Sequence, residues 1–257
     1  MEVLYQDKNI VVCIKPVGLD SEKQVVEILK EQLGGDIYPL HRLDLNVGGV
    51  MVYARHSKSA ALFSKMIQDN EMVKEYVAMV HGVVPEYEVW EDYLFKDSRK
   101  NKVFVVKKMR KGVKQAKLEY KRLTVEKDQS LVRVRLYTGR SHQIRVQFAS
   151  RGFPLVGDHK YGSRVDVASP MLFSCRLSFP YQGKTYCFES YPLWAQKAIQ
   201  LDIQKLSSHY EVRRLEKENI DQIYDLCKEN PLFYEYHPPF VTKESIEDDI
   251  KALKESG

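Results

Sequence analysis

Short apolar runs separated by polar punctuation open the chain. Val3-Leu4-Tyr5 and Asn9-Ile10-Val11-Val12-Cys13-Ile14 are split by Gln6-Asp7-Lys8, and their β-branched content predicts two strands. Lys15-Pro16-Val17-Gly18 predicts a turn. Between residues 22 and 33 the period changes: Val25, Val26, Ile28, Leu29 and Leu33 recur at helical spacing, and Gly34-Gly35 ends the helix. Val50-Met51-Val52-Tyr53-Ala54 is a strand. Residues 58–70 predict a second helix, with Ala61, Leu62, Lys65 and Met66 on one face, and 74–81 another strand.

Residues 131–137 alternate strictly, so Arg133 and Arg135 face one side of a strand and the aliphatics the other. A short helix is expected over 142–150, after the Thr138-Gly139 turn. Alternation returns over 172–179 and 184–190, joined by Tyr181-Gln182-Gly183. Many strands with few, unevenly placed helices predict an α+β fold: a mixed, mostly antiparallel central sheet with flanking helices. The expected division is a body over 1–206 and a short α/β appendage over 207–257.

Charge sharpens that division. Residues 207–257 carry 7 Lys/Arg against 12 Asp/Glu, whereas 1–206 carry 33 against 23. A basic body suits a polyanionic partner. Residues 96–122 concentrate it, with twelve Lys/Arg against Asp97 and Glu119. Lys107, Lys108, Arg110 and Lys111 lie at its centre, and Val103 to Val106 mark part of it as strand. It reads as a basic hairpin or loop able to clamp phosphates, although most charge runs are solvated faces. Cysteines 13, 175, 187 and 227 form no C-x-x-C pair or zinc-like pattern, which fits reduced thiols and no metal. No apolar run approaches membrane-spanning length, and the first residues lack a secretory pattern. A cytoplasmic, monomeric protein is expected.

Four blocks then stand in order: Asp7-Lys8-Asn9-Ile10-Val11-Val12-Cys13-Ile14-Lys15-Pro16-Val17-Gly18; His41-Arg42-Leu43-Asp44; Lys74-Glu75-Tyr76-Val77-Ala78-Met79-Val80-His81-Gly82; and Thr138-Gly139-Arg140-Ser141-His142-Gln143-Ile144-Arg145, continuing to Gly157-Asp158-His159-Lys160-Tyr161-Gly162. Together they resemble the RluA family of pseudouridine synthases over about residues 1–195. The chain departs from many members at Val47-Gly48-Gly49, where they carry Thr-Ser-Gly.

The resemblance implies isomerisation of uridine in structured RNA, ribosomal or transfer. The N1–C1′ bond breaks, the uracil turns, and C5 joins C1′. No redox change occurs and no group leaves, so no cofactor is expected. One carboxylate could attack the sugar or base or remove a sugar proton, and a cation would orient it. By resemblance Asp44 is that carboxylate, Arg145 its ion-pair partner, Tyr76 the ring on the uracil placed to act on C5, and Arg42 the group that displaces the target base. A stacked base hides both reacting atoms, so flipping is required. His41 and His142 read as structural hydrogen-bonders beside the site; a Ser141–His142 pair is disfavoured because adjacent side chains diverge. Arg140 and Lys160 are candidate phosphate contacts with an equally good plain surface reading. The competing function is an idle RNA-binding protein of the same fold, which would need none of Asp44, Tyr76 and Arg145.

The tail reads differently. Residues 210–215 predict a strand, 219–228 a helix and 243–253 another, an order similar to the start of a GNAT acetyltransferase. It holds no glycine-rich turn for a pyrophosphate, so no acetyl transfer is expected.

Overall fold

The structure is a computed structural model that describes residues 1–196, 219–228 and 242–255. The chain divides into two units, Met1–Gln200 and Leu201–Gly257. In the first unit, β1 (Glu2–Gln6) and β2 (Ile10–Lys15) form a hairpin, followed by α1 (Gln24–Leu33), β3 (Tyr38–Pro39), β4 (Gly48–Ala54) and α2 (Ser57–Gln68). Then come β5 (Val73–His81), β6 (Tyr87–Asp97), β7 (Lys102–Val106), β8 (Val113–Glu126) and β9 (Gln129–Leu136). After α3 (Gln143–Ala149) and a 3-10 turn (His159–Tyr161), β10 (Leu172–Tyr181) and β11 (Lys184–Glu189) complete the sheet.

The strands form one sheet in the order β1-β2-β4-β10-β5-β9-β8-β6-β7, with β3 against β4 and β11 against β10. Among the described pairs only β4–β10 is parallel. This is the mixed, mostly antiparallel α+β architecture that the sequence predicts. The β10–β11 hairpin turns at Gln182 (φ 50°) and Gly183 (φ 76°), two left-handed residues that match the twist of the flanking strands.

One sheet face carries the main core, where Val25 and Leu29 of α1 and Ile144 and Phe148 of α3 pack on Cys13, Ala78, Tyr120 and Val134. On the other face α2 packs onto Val12, Val52 and Phe179. Here the structure corrects the expected helix face. Ala61, Leu62 and Lys65 are exposed, and Ser59, Phe63, Met66 and Ile67 turn inward. Phe63 sets the face, its ring 5.1 Å from Phe179 and 5.6 Å from Tyr181.

The parallel β4–β10 contact explains Gly49, the position of the Val47-Gly48-Gly49 run that keeps the family glycine. Gly49 has φ 129°, and a Cβ there would collide with the backbone of Ser174.

The basic stretch 96–122 begins as the tip of the β6–β7 hairpin, where Lys96 pairs with Val103 and Asp97 with Lys102, and runs on beyond it. It comprises the end of β6, then β7, a crossover and most of β8, because β6 pairs with both β7 and β8. Lys107 to Gly112 carry the chain from one edge of β6 to the other, with the Arg110 guanidinium 5.1 Å from the Phe95 ring.

In the second unit the described helices are Ile220–Lys228 and Lys243–Glu255, close to the expected spans. Thr242 and Ser245 exchange hydrogen bonds at the start of the latter, each hydroxyl accepting from the other's N–H. Lys243 pairs with Asp221 at 2.6 Å. The strand expected over 210–215 lies outside the described residues.

Candidate active site

Two of the sequence blocks meet at the Asp44 loop. Lys15 is fully buried, and its Nζ donates to the carbonyls of Pro16 (2.9 Å) and Leu45 (3.3 Å). The Leu45 carbonyl also accepts from Gly18 N–H at 2.8 Å. Burial pushes the Lys15 ammonium down to about 8, against the charges of Asp20 and Asp44, which raise it. The buried Leu43 side chain anchors the loop, and Val47 N–H closes it onto the Asp44 carbonyl at 3.0 Å.

Arg145 reaches Asp44 from α3, where every residue from Gln143 to Phe148 is buried. Its Nη1 donates to Asp44 Oδ2 at 2.9 Å. Its Nε and Nη2 make a fork on Asp158, at 2.7 and 2.8 Å. Burial lowers the Arg145 pKa, but hydrogen bonds and charge from Asp158 and then Asp44 outweigh it, so the net shift is upward. The guanidinium is therefore a permanent cation with fixed orientation. Gly157 (φ 78°) makes the turn that aims Asp158, since a Cβ there would strike Ser169.

A further set of contacts converges on Asp44. The Tyr161 hydroxyl accepts from Val103 N–H of β7 (2.9 Å) and lies 2.8 Å from His142 Nδ1. His142 adopts a left-handed backbone (φ 51°), which brings its Nε2 to 4.0 Å from Asp44 Oδ2. With Val103 occupying one lone pair, the phenol can donate to Nδ1, leaving Nε2–H toward Asp44. Burial lowers the His142 pKa, opposed by the Asp44 charge and aided by Arg145 and Lys160. The Arg145 guanidinium also lies 5.1 Å from the Tyr161 ring.

These groups open onto a cavity of about 580 Å³, within the range of small-ligand sites. Leu43, Val47, Tyr76, Ile144 and Leu172 give it apolar walls; Asp44, His142 and Arg145 give it a polar end. Tyr76 is buried on β5, and burial together with the Asp44 charge raises its pKa, so the phenol keeps its proton. Arg42 lines the mouth, mostly exposed and paired with Glu22 at 3.1 Å. Arg140 is also at the rim, its Nε donating to the Gln115 carbonyl at 2.9 Å. His41 borders the cavity, but its Nε2 accepts from Val52 N–H at 3.3 Å. Desolvation of that ring, then Lys74, pushes its pKa down to about 3, so it stands neutral as a strut.

Lys107, Lys108, Arg110 and Lys111 are exposed and do not line this cavity. Lys160 is likewise exposed, its Nζ donating to the Asn101 carbonyl at 3.0 Å. Sequence reasoning assigned no role to Asp158 or Tyr161, although both stand inside a quoted block. The available signal was physical: a buried arginine between two chain segments needs more acceptors than one carboxylate supplies. Among the described residues no cluster of His, Cys, Asp and Glu could hold a metal ion, and no helix is long and apolar enough to cross a membrane.

A family model described as RNA pseudouridylate synthase matches residues 9–150. The tRNA pseudouridine(32) synthase, mitochondrial, of Saccharomyces cerevisiae is 33% identical over 172 residues, covering 63% of this chain and 37% of that protein. The tRNA pseudouridine synthase C of Vibrio cholerae is 31% identical over 185 residues, covering 64% of this chain and 75% of that protein. Among solved structures, human RNA Pseudouridylate Synthase Domain Containing 4 aligns with a TM-score of 0.65 at 24% identity, over 77% of this chain and 92% of that one, which shows the fold. The family match spans more than half of the sequence and contains Asp44, Tyr76 and Arg145: the chain belongs to the RNA pseudouridylate synthase family, whose members isomerise uridine to pseudouridine in RNA.

Proposed function

We propose that the cavity beside Asp44 takes a uridine flipped out of structured RNA and that Asp44 is the carboxylate that initiates its isomerisation. The observation that carries the reading is the Arg145 bridge, which holds Asp44 at 2.9 Å through a guanidinium locked on Asp158. An arginine fixed on a second acid orients the first without moving during the reaction. Uracil would lie along Tyr76 with its edge toward Asp44. The protonated phenol makes Tyr76 a packing surface and proton donor; a base for the C5 proton must come from another group, and Asp44 is the carboxylate that lines the cavity. Arg42, released from its exposed pair with Glu22, would fill the place the uridine leaves, a cheap exchange because such surface pairs are worth about 1 kcal/mol or less.

The substrate reading favours transfer RNA over ribosomal RNA, because the yeast and Vibrio cholerae relatives bear tRNA names. The basic body supports polyanion binding, and the crossover from Lys107 to Lys111 would contact RNA away from the reacting base. The protein acts as a monomer, in the cytoplasm, without cofactor. Free Cys13, Cys175 and Cys187 fit a reducing compartment. The GNAT likeness of residues 207–257 is kept as a sequence resemblance with no activity attached.

The test is a pseudouridine map of cellular RNA with and without the protein, followed by rescue with wild type and with Asp44→Asn. The reading expects specific positions, in tRNA, to lose the modification and to regain it only with wild type. No change at any uridine, or full rescue by Asp44→Asn, would overturn it; loss confined to ribosomal RNA would move the substrate and keep the chemistry.

A further inference from the structure

Beyond the Asp44 cavity, we infer that a second, basic groove on the far side of the Gly139-Arg140-Ser141 segment binds a backbone phosphate of the nucleotide next to the flipped uridine. This rests on the proposed action on RNA. The groove has about 170 Å³ of space, bordered by Leu94, Lys96, Val103, Gly112 and Lys114. That is room for about six waters, or for a phosphodiester that displaces most of them. Gly139, Arg140 and Ser141 border both this groove and the Asp44 cavity. The two spaces therefore share a wall three residues wide, a separation one nucleotide of RNA can cross.

The strand register makes this placement more than a surface charge. Leu94 pairs with Lys114 and Lys96 with Val103, so all four side chains rise from the same sheet face. Farther along β6 and β8 that face is core: Trp90, Leu118 and Tyr120 are buried under α3, and Leu94, Val103 and Ala116 pack with Val146 and Tyr161. On β8 this face is apolar at Ala116, Leu118 and Tyr120, whereas on β6 it mixes Trp90 and Leu94 with Asp92, whose charge Arg151 meets. Lys96 and Lys114 are the exposed positions at its end. Arg140 adds a third cation, its Nε held on the Gln115 carbonyl beside Lys114. Among the described residues none of these three cations pairs with a carboxylate, whereas Lys117, Arg135, Arg151 and Arg176 each do. Three uncompensated cations around a small concave space favour one anionic group, and the chain that enters the neighbouring cavity carries one at every nucleotide.

The probe is bulk transfer RNA purified from cells lacking the protein. Binding is measured from low to moderate salt for wild type, Lys96→Ala/Lys114→Ala, Lys96→Arg/Lys114→Arg, and the control Lys58→Ala/Lys65→Ala on α2. The groove predicts a dissociation constant about tenfold weaker for the Ala pair, with the salt slope shallower by roughly 0.7 per lost contact. It predicts near-wild-type binding for the Arg pair and the α2 control. The rate on saturating RNA should stay at the wild-type level. An Ala pair that binds like the α2 control, with an unchanged slope, overturns the inference, as does an Arg pair as weak as the Ala pair. If wild type isomerises nothing while the Ala pair still loses affinity and slope, the functional reading fails and the groove stands.

Discussion

At the scale of single residues, Arg145 serves two acids at once. Lysine keeps the charge but not the fork. Arg145→Lys should leave either Asp44 or buried Asp158 without its partner and reduce turnover by about a hundredfold or more, as expected when a reacting group is misplaced by about an ångström. It should also cost roughly 3 kcal/mol of stability or more, because half of a buried pair is left behind; denaturant titration reads that loss. Tyr161→Phe is subtler. It removes the hydroxyl that accepts from Val103 N–H and faces His142 Nδ1, so about 1–3 kcal/mol should be lost to the orphaned N–H. Turnover should fall with RNA affinity retained; a variant as active as wild type would disconnect β7 from Asp44. His41 carries the pH prediction. Its folded pKa is about 3 against 6.5 for the free residue, so the unfolded chain takes up the proton first as pH falls. Stability is therefore full above about pH 6.5 and drains toward pH 3. Melting temperature should drop less between pH 7 and 4.5 in His41→Gln than in wild type, and equal drops would remove His41 from the acid response.

At the scale of elements, what the sequence made visible depended on whether local periodicity and burial agree. The first two strands, α1, β5 and the β10–β11 hairpin were legible because their apolar runs are the ones that become buried, those of β2 and β10 on both sheet faces. The face of α2 was not. Leu62 and Phe63 compete for it, and aromatic packing across the sheet decides, leaving Leu62 half exposed. Phe63→Ala should cost about 3–5 kcal/mol, whereas Leu62→Ala should cost well under 1 kcal/mol, as is usual for surface sites. The long strand β8 was hidden inside a charge run. Ala116, Leu118 and Tyr120 alternate there with Lys117, Glu119 and Lys121, so the charges are the solvated side of a strand and not a loop. Gly49 shows the opposite limit: nothing local signals that Ser174 passes against it. Gly49→Ala should lose roughly 1–3 kcal/mol from the backbone angle alone, and more from the collision, as measured by thermal unfolding.

At the scale of the whole molecule, charge and chemistry are separated in space. Asp44, Arg145 and Asp158 form a paired cluster, while cations with no carboxylate partner among the described residues stand on the groove beside it and on the Lys107–Lys111 crossover. Reversing Lys107, Lys108, Arg110 and Lys111 should weaken RNA binding and flatten its salt dependence without changing the rate on saturating RNA. Asp44 and Arg145 were legible only through the resemblance of the blocks that hold them. Asp44 and Arg145 stand 101 residues apart, and no periodicity links them. The second acid, Asp158, was in plain view yet gained meaning only once α3 proved to be buried from Gln143 to Phe148.

The central claim is that Asp44 starts the isomerisation. Joining C5 to C1′ expels the C5 hydrogen, so RNA labelled with tritium at uridine C5 releases the label to water once per event. Purified wild type and Asp44→Asn, each folded by circular dichroism and binding RNA equally, should be compared on labelled transfer RNA from cells lacking the protein. The account predicts tritium release by wild type and none by the variant; release by Asp44→Asn at a rate near wild type would contradict it.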